Sequence, residues 1–225
     1  MKVLVTGKEG QVARSLADRA ADHPQLELIF AAREGTAVFL DLADEVSIRS
    51  AVQSVKPDVI INAAAYTAVA QSADEPELAM QIKGTAPGVL AEEAAACEAR
   101  IIQISTDYVF DGELDRPYLP SDPVNPIGVY GKTKLAGEEA VRAATSDFVI
   151  VRTAWVYSPY GKNFYNTMLR LAETRDEISV VDDQIGNPTS AYEIADGLLA
   201  ICDDWAKGGR KHLGEIIHLV GSEEM

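Results

Sequence analysis

Apolar residues fall along the chain in two alternating rhythms. Short, largely apolar runs, most of them rich in Val and Ile, occupy 2–6, 26–31, 36–40, 58–62, 100–105, 148–152 and 215–220, and these are the expected strands. Between them the apolar spacing shifts to every three or four residues, which predicts helices over 11–21, 45–55, 76–99, 127–144, 163–174 and 192–205. In 45–55 the helical spacing is carried by Val46, Ser47, Ile48, Ala51, Val52 and Val55, and it stops ahead of Pro57, since the residue before a proline avoids the helical region. Strands that are apolar throughout need cover on both faces, so the alternation predicts a parallel sheet with helices above and below. Right-handed crossovers then give a doubly wound, Rossmann-like α/β fold. Loop-rich segments at 111–126 and 156–190, marked by Pro117, Pro120, Pro123, Pro126, Pro159 and Pro188, fall where such a sheet builds its site.

Charge narrows the partners. Of the 225 residues, 35 are acidic and 20 basic, a formal net charge of −15. A polyanion would find few Lys and Arg to displace its counterions, so nucleic acid is not an expected partner. An anionic ligand must instead be held by backbone amides and a few local cations. Two cysteines, Cys97 and Cys202, make no disulfide framework and have no metal-ligand spacing, and no metal is expected. The run at the first strand is too short for a signal peptide, and no stretch approaches ~18 apolar residues, so a cytoplasmic chain without a membrane partner is expected.

Thr6-Gly7-Lys8-Glu9-Gly10-Gln11-Val12-Ala13 lies between the first strand and first helix. Gly7 permits a tight turn, Gly10 lets backbone approach a pyrophosphate at the helix N-terminus, and Ala13 is small enough for close packing on the strand. This context points to dinucleotide binding; a simple tight turn is the plainer alternative. After the second strand the acidic residue that would bind a ribose 2′-hydroxyl is absent. Arg33 stands there instead and fits a 2′-phosphate, favouring NADPH, with NADH the second candidate. Asp41, after the third strand, is placed to accept from an adenine amino group, or else to cap the helix starting near Asp44.

Tyr130 and Lys134 lie one turn apart on the predicted 127–144 helix. A nearby ammonium favours the phenolate, so Lys134 is expected to lower the Tyr130 pKa toward the working range and could also bond a cofactor ribose. Lys132 is expected on another face. Ser105 and Thr106 end a strand, where one hydroxyl could meet the oxygen reacting beside Tyr130; the alternative is a hydroxyl closing its own turn.

These motifs resemble the extended short-chain dehydrogenase/reductases, and within them the dTDP-4-dehydrorhamnose reductase family. The likeness is carried by Asn62-Ala63-Ala64-Ala65-Tyr66-Thr67-Ala68-Val69, Ser105-Thr106-Asp107-Tyr108-Val109-Phe110-Asp111-Gly112, Tyr130-Gly131-Lys132-Thr133-Lys134, Arg152-Thr153-Ala154-Trp155 and Asp183-Gln184-Ile185-Gly186-Asn187-Pro188-Thr189. The resemblance implies reduction of the C-4 ketone of dTDP-4-dehydro-L-rhamnose. Tyr130 would give the proton, Lys134 would tune it, and Thr106 would bond the reacting oxygen. Gly7, Gly10, Gln11 and Val12 would hold the pyrophosphate, and Asp41 and Leu42 the adenosine end. Ala65, Tyr66 and Thr67 would lie beside the nicotinamide, and Thr106, Asp107 and Trp155 would contact a dTDP-sugar. A homodimer is a candidate assembly.

The same resemblance sets the competing readings. Nucleotide-sugar dehydratases carry Asp-Glu after the Thr; here Asp107 is followed by Tyr108, which argues against them. A nucleotide-sugar epimerase and a non-catalytic, cofactor-binding regulatory subunit stay open. The chain departs from the family at Ala13, at Ala70-Gln71, and at Ile82-Lys83, where Val-Asn is common. Residues 1–155 are expected to form the dinucleotide-binding domain. Residues 156–225 are expected to form a partial substrate lobe, interleaved with the last helix and strand and lacking the family's C-terminal segment.

Overall fold

The computed structural model describes residues 1–64 and 74–222. Seven parallel strands form the sheet: β1 (Lys2–Thr6), β2 (Glu27–Ala32), β3 (Val38–Phe39), β4 (Val59–Asn62), β5 (Arg100–Thr106), β6 (Phe148–Thr153) and, after a separate pair, β9 (Glu215–His218). Their order is β3-β2-β1-β4-β5-β6-β9, so the chain winds outward in both directions from the β1–β4 junction. The doubly wound sheet expected from the apolar runs is the one found. Outside it, β7 (Val156–Tyr157) and β8 (Thr189–Ser190) form a small parallel pair, too short for any period to reveal.

Alternation along each strand divides the core in two. Val3, Val5, Val59, Ile61, Ile102 and Val149 face one side, packed under α1 (Gln11–Arg19) and the helix of Ala191–Ala206. Leu4, Ile60, Ile101 and Ile150 face the other, under α2 (Glu45–Val55) and the helix of Ala86–Ala96. Val3, Leu4 and Val5 are all fully buried, as a central strand covered on both faces requires. Among the described residues no helix is long and apolar enough to cross a membrane.

The helix expected as one piece over 76–99 is broken. It runs as α3 (Pro76–Met80), a π-helical turn at Gln81–Thr85, and α4 (Ala86–Ala96). Pro87 is the cause: it has no N–H to offer the carbonyl of Lys83, four residues back, and its ring crowds that turn. The widened turn packs on α5 (Val129–Ala144), which carries Tyr130 and Lys134. The helices touch closely because position 137 is glycine; a Cβ there would overlap the Lys83 carbonyl oxygen. The remaining helices among the described residues are α6 (Phe164–Ala172) and α7 (Ala191–Ala206). The first helix begins at Gln11 as expected and ends two residues early, at Arg19, because a 3-10 turn, Ala20–Asp22, follows it.

Candidate active site

Parallel strands deliver the ends of β1, β4, β5 and β6 to one edge of the sheet, and the candidate residues gather there. Gly7 leaves β1 with φ +84, a left-handed conformation that a side chain would strain. Gly10 is the N-cap of α1, with no side-chain cap and nothing within 4 Å of where a Cβ would stand. The first amides of α1 therefore open onto clear backbone, the arrangement that receives an anion. The side chain of Val12 belongs to the core, which leaves only its backbone at the turn.

Gln11 does more than the sequence implied. Its side-chain Oε1 accepts from Ser158 Oγ at 2.9 Å and Asn163 Nδ2 at 2.9 Å, tying the glycine turn to the 158–163 loop. At the neighbouring strand ends, Thr6 Oγ1 donates to Asn62 Oδ1 at 2.6 Å and Asn62 Nδ2 donates to Gln103 Oε1 at 2.7 Å. This buried relay crosses β1, β4 and β5 at the switch point. Polar residues closing otherwise apolar strands were its only trace in the sequence.

Arg33 is exposed just after β2. Lys8, not among the expected residues, reaches across to the same turn and donates to the Gly35 carbonyl at 2.6 Å. Two cations thus stand over the β2 end. Asp41 accepts from Ala43 N at 3.0 Å, and the cap of α2 is Asp44, which accepts from Val46 N at 3.0 Å; capping does not occupy Asp41. Leu42 is buried in the core, leaving only its backbone to face a nucleotide. Ala65, Tyr66 and Thr67 lie outside the described residues.

Tyr130, Lys134 and Glu138 form one stripe of α5, and the last two are buried. Thr106 closes β5, where its hydroxyl donates to Asp107 Oδ1 at 2.9 Å and accepts from Tyr108 N at 3.2 Å. It therefore both closes its own turn and stands at the site. Tyr108 meets the Tyr130 ring edge-on at 5.7 Å. Burial pushes the Tyr130 phenol up to about 12; the charge of Asp107 adds to the rise and the Thr106 hydroxyl opposes it. The lowering expected from Lys134 is not what this arrangement produces. Lys134 Nζ donates to the Ile104 carbonyl at 2.5 Å, and burial brings its own pKa down to about 8, against the pull of Glu138. Burial also raises the Asp107 carboxyl. Lys132 is exposed, as its spacing predicted.

Trp155 follows β6 with φ +43, a strained backbone for a bulky residue, and its ring is 39% exposed. Gly186 lies flat against the indole, leaving no room there for a Cβ. Thr153 pairs in register with Thr106, and among the described residues its buried hydroxyl has no hydrogen-bond partner. A strand-end hydroxyl left unsatisfied beside Thr106 is a further candidate, which sequence pattern alone did not single out.

A doubly wound parallel sheet, an open glycine turn at its switch point and a Tyr-x-x-x-Lys helix beside a strand-end Thr define a protein of the short-chain dehydrogenase/reductase class. Comparison with known proteins narrows this. The chain belongs to the family described as RmlD substrate binding domain, whose model matches residues 1–225. It is 43% identical over 224 residues to dTDP-4-dehydrorhamnose reductase of Sinorhizobium fredii, covering 100% of this chain and 74% of that protein. The Escherichia coli dTDP-4-dehydrorhamnose reductase is 43% identical over 196 residues, 87% of this chain and 65% of the relative. Among solved structures, a dTDP-4-dehydrorhamnose reductase from Clostridium acetobutylicum superposes with a TM-score of 0.89 at 38% identity, over 100% of this chain and 75% of the other. That of Bacillus anthracis, in complex with NADP, gives 0.90 at 32%, over 99% and 76%.

Proposed function

We propose that the chain reduces the C-4 ketone of dTDP-4-dehydro-L-rhamnose to dTDP-L-rhamnose with NADPH, NADH being the second candidate. The observation that carries this reading is the placement of Tyr130, Lys134 and Thr106 at the same sheet edge as the uncapped N-terminus of α1. The residues present fit a dinucleotide. Gly10 leaves a cradle at the helix amides, and Lys8 and Arg33 bring positive charge to the β2 end in a chain of net charge −15. Gly7, Gly10, Gln11 and Val12 would hold the pyrophosphate, Arg33 a 2′-phosphate, Asp41 and Leu42 the adenosine end, and Lys134 the nicotinamide ribose. When bound, the nicotinamide supplies hydride, which no side chain can offer.

The chain's own groups handle the proton. A phenol raised by burial is protonated at neutral pH, so Tyr130 arrives at the substrate oxygen as a donor. The phenolate left behind gains from the Lys134 ammonium on the same helix face. Thr106 Oγ1 orients the oxygen beside Tyr130, and Asp107 and Trp155 contact the sugar nucleotide. Residues 1–155 form the cofactor domain, which ends at Trp155, and residues 156–225 contribute the partial substrate lobe with the 156–190 loops. We assign the reaction to the cytoplasm, in keeping with the unpaired thiols of Cys97 and Cys202. A homodimer is the assembly to look for by sedimentation.

The test is NADPH oxidation with dTDP-4-dehydro-L-rhamnose. Tyr130→Phe is expected to lose about 10²–10⁴-fold in kcat while still binding NADPH. A folded parent chain that binds NADPH without turnover would replace this reading with that of a cofactor-binding regulatory subunit. Sugar inversion without net NADPH consumption would instead identify an epimerase.

A further inference from the structure

Lys83 sits in the π-helical turn, 3% exposed, with its ammonium over the Tyr130 ring at 4.7 Å from the centroid. We propose that Lys83 is a positioning residue of the Tyr130 centre, a second ammonium set against the ring face that stabilises the phenolate formed when Tyr130 gives up its proton. The proposal rests on the reductase reading for its use, and names a residue outside the Tyr-x-x-x-Lys pair.

The backbone accounts for the placement. Pro87 removes the donor for the Lys83 carbonyl, the turn widens, and Gly137 lets that carbonyl lie directly on α5. The Lys83 backbone therefore rests on α5 at Gly137, and its side chain reaches the Tyr130 ring. A buried ammonium is costly unless it has compensation, and the negative face of an aromatic ring provides some. A phenolate ring is more electron-rich than a phenol, so the attraction strengthens as the proton leaves. That is a preference for the later state, which is what accelerates a step.

The surrounding charges show why a second cation matters. Asp107 disfavours the phenolate, and Tyr108 presents its ring edge. On α5 itself, Lys134 holds the Ile104 carbonyl, and Glu138 lies one turn beyond. Lys83 repels Lys134, helping to lower its pKa, so each ammonium gains when a negative charge appears at Tyr130. Burial likewise brings Lys83 down to about 8, leaving it mostly protonated at neutral pH.

The test reads the ionisation of the ring at position 130 directly, by fluorine-19 NMR of the intact chain carrying a fluorinated tyrosine in place of Tyr130. The fluorinated phenol is chosen acidic enough to ionise while Lys83 is still charged, since Tyr130 itself ionises only at about 12, after Lys83 has lost its proton at about 8. In Lys83→Met, which keeps the aliphatic stem, the midpoint is expected to rise by about one pH unit, a tenfold weaker acid. Lys83→Arg should recover most of that shift. An unchanged midpoint in Lys83→Met overturns the proposal, and so does an equal rise in Lys83→Arg, which would mean that shape alone matters. Circular dichroism checks folding, and Lys83→Gln is read by the same criteria if the methionine variant unfolds. No sugar is needed, so an absence of reductase turnover and a failure of this proposal are separate results.

Discussion

Arg152 and Glu138 meet in the interior through two hydrogen bonds, Nε to Oε1 at 3.0 Å and Nη2 to Oε2 at 2.8 Å, with side chains 4% and 2% exposed. Ser105 donates to the same carboxylate, while Arg152 reaches the Pro120 carbonyl at 3.3 Å and covers the Phe110 ring at 5.0 Å. The pair thus joins β5, β6, α5 and the loop before α5, one helical turn below Lys134. Two charges out of water are tolerated here because each satisfies the other.

Removing one partner leaves the other buried and unpaired. Glu138→Ala or Arg152→Ala is expected to cost about 3–5 kcal/mol in urea unfolding. The double variant Glu138→Leu with Arg152→Met should cost clearly less than the two single losses added together. Single variants within about 0.5 kcal/mol of the parent would show that the pair does not hold the fold.

Trp155 against Gly186 gives an optical handle. The chain has two tryptophans, and Trp205 is 4% exposed with its indole N–H on the Lys211 carbonyl at 3.0 Å. Added acrylamide should quench Trp155 and leave Trp205 largely untouched, with Trp155→Phe identifying the quenched component. Gly186→Ala puts a methyl where the indole lies, so the Trp155 emission should shift while unfolding stability changes by only about 1 kcal/mol. An emission spectrum identical to the parent's would mean the two residues do not touch in solution.

Cofactor choice depends on the β2 end. Arg33→Ala is expected to weaken NADPH binding about tenfold, the loss of one charge-assisted contact to a 2′-phosphate, with little effect on NADH. Lys8→Ala removes the second cation and frees the turn at Gly35, so it should weaken both nucleotides. Fluorescence titration of each variant with both nicotinamides measures this. Tighter binding of NADH than NADPH by the parent would remove the role given to Arg33.

What could be read from the sequence was what is local. Tyr130 and Lys134 are four residues apart, so helical geometry alone puts them together, and the glycine turn is contiguous in the chain. Apolar strands such as Val3–Leu4–Val5 announce burial on both faces. Contacts made by packing were out of reach: Lys83 meets Tyr130 only because one helix is widened and another carries a glycine at 137. The long 76–99 pattern concealed that break, since an Ala-rich helix covered on many sides shows no clear face, and Pro87 was its one cue. Glu138 and Arg152 likewise join a helix to a strand. The Tyr130 pKa departs from the sequence expectation for a related reason, because the burial that outweighs the neighbouring ammonium is a property of the folded surroundings.

His218, at the end of β9, offers a pH test whose sign follows from its surroundings. Burial lowers its pKa below the ordinary 6.5, the Arg152 guanidinium adds to that, and the Tyr118 backbone, Glu138 and Asp122 oppose it. The folded state therefore binds fewer protons here than the unfolded state. Stability from this site is complete above about pH 6.5 and is lost as pH falls toward the depressed value. Asp122, held at about 2 chiefly by Arg116, does not titrate in that window. Urea midpoints measured from about pH 7.5 down to pH 5.5 should fall for the parent and fall less for His218→Gln. Subtracting the two curves separates His218 from His23 and His212. Parallel curves would mean that His218 takes up its proton as readily in the folded protein as in the unfolded chain.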